Sequence, residues 1–81
     1  MITNKKIDSF LLSVVQRLKE NGIELENSEW RKRTQNNENY VDFYYYRNGK
    51  TYGGGFIERE FTEDNFEKMR EYTINSLMRI L

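Results

Sequence analysis

The chain has 81 residues, 32% of them charged, with thirteen Lys and Arg against thirteen Asp and Glu and neither histidine nor cysteine. That length supports one domain with one small core, here taken as residues 1–81. The missing residue types exclude disulfides, thiolate chemistry and the commonest general-base and soft-metal arrangements, and the balanced charge argues against a broad phosphate-tracking surface.

In chain order, Ile7, Phe10, Leu11, Val14, Val15 and Leu18 recur at the three-and-four spacing of one helix face. With Thr3 or Asn4 as cap and Asn21-Gly22 as stop, the spacing predicts a helix over residues 4–21. SEWRKRT (28–34) is a short strand resting on Trp30 and Thr34, and QNNEN (35–39) reads as a loop. YVDFYYYR (40–47) is strongly β-prone, Asn48-Gly49 is the preferred pair for a two-residue hairpin turn, and KTYGGGFIERE (50–60) returns antiparallel. Thr62 then caps a helix over 63–80, with Glu63 and Asp64 at the positive end of its dipole. Phe66, Met69, Thr73, Leu77 and Ile80 mark its apolar face, flanked by Ile74, Met78 and Leu81. The expected fold class is α+β, in the order α-β-β-β-α, as a three-stranded antiparallel sheet with two helices packed on one face.

Five of the six tyrosines and three consecutive glycines fall within YVDFYYYRNGKTYGGGF (40–56). A turn at Asn48-Gly49 sets Tyr46 against Thr51, Tyr45 against Tyr52, Tyr44 against Gly53 and Asp42 against Gly55. Because side chains alternate, Val41, Phe43, Tyr45, Tyr52 and Phe56 take the core face. Tyr40, Asp42, Tyr44, Tyr46, Thr51, Gly53, Gly55 and Ile57 take the other. If Trp30 points inward, Arg31 and Arg33 join that open face. Tyr and Arg are enriched among binding hot spots, and glycines let a partner approach the backbone. The residues expected to bind a partner are therefore Arg31, Arg33, Tyr40, Tyr44, Tyr46, Gly53 and Gly55. The structural alternative is that the rings lie over neighbouring glycines and shield the backbone.

Glu58, Glu60, Glu63, Asp64 and Glu67 form a secondary acidic patch. Acids in a first helical turn ordinarily stabilise the helix, so no metal site is assigned to them. Lys5 and Lys6 oppose the dipole of the first helix, a local conflict that can mark a binding surface but that exposed lysines often carry without one. Gly53-Gly54-Gly55 lies within a strand and lacks the helix and Lys-Ser/Thr pair of a phosphate loop. No catalytic residue, cofactor or metal is expected, and the chain does not read as an enzyme. It contains no apolar run of membrane-spanning length and no signal-peptide pattern. The expected location is cytoplasmic.

Asn48, Gly49, Lys50, Tyr52, Gly53 and Gly55 form an Asn-Gly-Lys-x-Tyr-Gly-x-Gly string that, with the element order, resembles the double-stranded-RNA-binding domain. The resemblance implies that fold, with RNA held by the first helix, the loop between the first two strands and a Lys-rich start to the last helix. At that last position this chain has EREFTEDNFE (58–67), so the resemblance speaks to fold more than to function. In size and element order the chain also looks like some small phage-encoded inhibitors, including certain anti-CRISPR proteins.

Two functional expectations follow. The first is a non-catalytic module, an inhibitor or accessory protein, that binds a protein partner through the Tyr/Arg face, with homodimerisation through the same face as a variant. The second is nucleic-acid binding, single- or double-stranded, with tyrosines stacking on bases and Arg31, Lys32 and Arg33 meeting phosphates.

Overall fold

The computed structural model describes residues 2–81. It contains α1 (Asn4–Glu20), β1 (Asn27–Gln35), β2 (Glu38–Arg47), β3 (Lys50–Ile57), a 3-10 turn (Glu58–Glu60) and α2 (Glu63–Ile80). The strands form an antiparallel sheet in the order β1-β2-β3. The architecture is the α-β-β-β-α arrangement expected.

Local chemistry sets the ends of both helices. The Thr3 hydroxyl accepts from the Lys6 amide and the Thr62 hydroxyl from the Asn65 amide, each satisfying a donor of a first turn. At the end of α1, Gly22 takes φ +81° while the amides of Gly22 and Ile23 donate to Lys19 and Leu18. That pair of bonds is the left-handed Schellman closure, and a glycine adopts it without strain.

The strands depart from expectation in three places. β1 and β2 extend to Gln35 and Glu38, so QNNEN is not a loop. Only Asn36 and Asn37 lie between the strands, at φ 52° and 61°, both in the left-handed region that a tight hairpin turn demands. Asn48 and Gly49 do the same at the second hairpin, at φ 53° and 74°. Finally, β3 stops at Ile57 rather than at residue 60. The Phe61 and Thr62 amides turn back to Glu58 and Glu60, and this lifts the chain off the sheet and brings Phe61 into the core.

The core lies between the helices and one face of the sheet. Val41, Phe43 and Tyr45 are buried there with Ile7, Phe10, Leu11, Val14 and Leu18 of α1 and with Met69, Ile74 and Leu77 of α2. Phe10 is central, its ring 5.1 Å from Phe43 and 5.4 Å from both Phe61 and Phe66. Such aromatic pairs add roughly 0.5 to 1.5 kcal/mol beyond burial of their area. Tyr52, Phe56 and Trp30 pack at the margin, and the Trp30 ring nitrogen donates to Asp8 of α1 at 2.6 Å. On α2, Met69, Thr73 and Leu77 of the expected apolar face are buried and Phe66 packs against the core, whereas Ile80 and the flanking Ile74 exchange roles. Ile74 is buried, while Ile80, at the last position of α2, is 58% exposed and borders a groove whose β3 side includes Gly53, Gly54 and Gly55.

Candidate functional site

The second sheet face carries no helix in its packing, and the registers determine its contents. Arg31 pairs with Asp42, Arg33 with Tyr40 and Glu29 with Tyr44 across β1 and β2. Tyr44 pairs with Gly53 and Asp42 with Gly55 across β2 and β3. Trp30 opposes Phe43 on the helix side, which places Arg31 and Arg33 on the open side. All seven residues expected at a partner-binding face therefore lie on one surface. Lys32 does not share it, since alternation turns it to the helix side opposite Val41. The basic triplet adjacent in sequence is divided between two faces.

These side chains are interlocked. Arg33 donates from Nε to Asp42 Oδ2 at 2.7 Å and from Nη2 to Oδ1 at 3.3 Å, and its guanidinium lies 4.4 Å from the Tyr40 ring centroid. Arg31 donates to Glu29 at 2.9 Å and sits 5.7 Å from the Tyr44 ring centroid. The Tyr46 hydroxyl donates to the same Glu29 oxygen at 3.1 Å. The bond to Asp42 raises the Arg33 guanidinium further above its ordinary value. Desolvation, followed by the bond to Glu29, raises the Tyr46 hydroxyl.

Two glycines have structural roles here. A Cβ on Gly55 would collide with the Asp42 carboxylate and lie 3.3 Å from the Val41 carbonyl. A Cβ on Gly53 would meet the Tyr44 ring at ordinary contact distance, 3.8 Å. The tyrosines are half-buried rather than fully open, in keeping with rings that shield the neighbouring strand. In formal charge, Arg31 and Glu29 cancel, as do Arg33 and Asp42. The face offers aromatic area and fixed hydrogen-bonding groups with no cationic surplus.

The acidic residues of 58–67 do not act as one patch. Glu58 is buried, Glu63 pairs with Lys6 of α1, Glu67 pairs with Arg70 at 2.9 Å, and Glu60 and Asp64 are exposed. The Lys6 partner holds the Glu63 carboxyl below its ordinary value. It also places the first-turn cation of α1 against the first-turn acid of α2. Among the described residues, no three His, Cys, Asp or Glu side chains lie close enough together to hold a metal ion. No described helix is long and apolar enough to cross a membrane.

Sequence reasoning did not find the salt bridge between Arg59 and Glu38, which ties the 3-10 turn to the start of β2. Its only signal is that an extended β2 brings Glu38 opposite the residues after Ile57. No family model, curated protein or solved structure matches this chain.

Proposed function

We propose that the protein is a small non-catalytic binding module that docks a protein partner through the sheet face of Arg31, Arg33, Tyr40, Tyr44 and Tyr46. An inhibitor or accessory protein of a phage or mobile element would act in this way. The observation that carries the reading is the neutralised lattice of Arg33, Asp42 and Tyr40 beside Arg31, Glu29 and Tyr44 on a face that no helix covers. Arginine and tyrosine side chains already held in place lose little conformational freedom on docking, so more of their contact energy appears as affinity. Gly53 and Gly55 contribute instead by seating the Tyr44 ring and the Asp42 carboxylate against β3, which holds those groups in place on the face.

Nucleic-acid binding is the weaker reading. Tyr40, Tyr44 and Tyr46 offer stacking surfaces, yet Glu29 and Asp42 occupy the arginines that phosphates would need, and Lys32 faces the other way. The test is fluorescence anisotropy of labelled single- and double-stranded DNA and RNA at low and moderate salt, beside affinity capture of protein partners. The proposal expects no nucleic-acid binding at tens of micromolar. It also expects a captured protein that is lost when Arg31→Ala and Tyr44→Ala are combined in a variant that remains folded. Salt-sensitive nucleic-acid binding abolished by Tyr44→Ala would replace it with the second reading.

A further inference from the structure

A separate cleft of about 570 Å³ opens where the N-termini of α1 and α2 converge beside the first hairpin. Ile2 and Phe61, both mostly buried, contribute apolar wall, while Asn37, Asn39 and Thr62 contribute polar edge. Five ionisable side chains line it: Lys6, Glu38, Glu58, Arg59 and Glu63. Four of them are matched within the molecule, as Lys6 with Glu63 and Arg59 with Glu38. Glu58 has no such match. It is only 8% exposed, and its Oε1 is buried with no hydrogen-bond partner among the described residues.

A buried carboxylate oxygen without a donor costs free energy that a ligand can recover by supplying one. We infer that this cleft is a binding site for an alkylammonium or alkylguanidinium group, the cation directed at Glu58 and its methylenes lying along Ile2 and Phe61. An anion is disfavoured despite the two helix N-termini. The Thr3 and Thr62 hydroxyls already cap those turns, both neighbouring cations are engaged, and Glu58 would repel it. A divalent metal ion is disfavoured because no cluster of three ligating side chains forms there. A nitrogen cation needs only one well-placed carboxylate together with an apolar channel for its stem. The cleft borders the Tyr40 end of the Tyr/Arg face, since Glu38 lies two residues from Tyr40 on the same side of β2 and Arg59 pairs with Glu38, but it is built around Glu58, which takes no part in that face.

The test is a nitrogen–proton correlation NMR titration with n-butylammonium and n-butylguanidinium at constant ionic strength, with 1-butanol as the neutral comparison. Saturable shifts confined to the amides of residues 37–39 and 58–63 are expected for the cations and not for the alcohol. Glu58→Gln, shown to be folded by its own spectrum, should weaken cation binding roughly tenfold or more. If that variant does not fold, Asn39→Lys supplies an internal ammonium at the exposed edge of the cleft and should suppress binding of the added amines. Equal shifts with butanol, shifts scattered over all surface carboxylates, or unchanged binding by Glu58→Gln or Asn39→Lys would each overturn the assignment.

Discussion

The Asp42 carboxylate occupies the space that a Cβ on Gly55 would need, and from that position it holds Arg33 of the neighbouring strand. Residues from three strands are thus coupled at one point of the open face. A side chain at Gly55 acts on Arg33 through Asp42.

This coupling separates three adjacent glycines that composition cannot tell apart. Gly55→Ala must displace Asp42 and crowd the Val41 carbonyl, and should destabilise by about 1 kcal/mol or more. For a chain of this size that is roughly 4 to 8 °C in melting temperature per kcal/mol. Gly54→Ala meets nothing within 4 Å and has an ordinary strand backbone. It should be neutral or stabilising by roughly 0.4 to 1 kcal/mol, through reduced freedom of the unfolded chain. Gly53→Ala should be close to neutral. Urea denaturation of the three variants gives the ranking, and equal effects at all three would contradict it.

The Tyr45 hydroxyl is buried in the core with no hydrogen-bond partner among the described residues, and burial pushes its pKa above the ordinary tyrosine value. Tyr45→Phe removes an unsatisfied polar atom while keeping the ring. It should leave stability unchanged or raise it by about 1 kcal/mol.

The same tyrosine predicts a dependence on alkaline pH. Its folded-state pKa is raised, so above pH about 10 the unfolded chain releases a proton that the folded chain retains. Its contribution is complete below that pH and is lost as the pH rises beyond it. Thermal melts between pH 8 and 11 should show wild type losing stability faster than Tyr45→Phe at the upper end. Parallel curves would mean that the hydroxyl is solvated.

The first hairpin turn places Asn36 and Asn37 in left-handed backbone without a glycine. Asn37→Gly should stabilise by a few tenths of a kcal/mol, because glycine carries no Cβ penalty there. Asn37→Val should cost roughly 1 to 3 kcal/mol, since a β-branched residue resists positive φ. If the valine variant melts with wild type, the turn geometry is not what sets this register.

The helices, the second hairpin and the division of β2 into two faces could be read from the chain because each is encoded over a short window. The periodicity of Ile7 to Leu18, the caps at Thr3 and Thr62, and the Asn48-Gly49 turn act between residues a few positions apart. The first hairpin was missed for a related reason. Asn36-Asn37 is a weaker turn signal than Asn-Gly, and the polar residues around it resemble a loop until β1 and β2 are paired. The site was legible only as a set of positions. Alternation assigned Arg31, Arg33 and the tyrosines to one face, but not the ion pairs that neutralise it or the seat of Asp42 over Gly55.

Sequence alone therefore determined the element order, the register of β2 against β3 and the residues offered to each face, since backbone propensity, turn chemistry and side-chain alternation are local properties. Tertiary structure decided where β3 ends, that Ile74 rather than Ile80 joins the buried side of α2, which charges are matched, and that Glu58 Oε1 has no partner among the described residues where two helices begin. Those outcomes depend on atoms brought together from distant parts of the chain, where the burial of Phe61 and the reach of Lys6 and Arg59 compete in three dimensions.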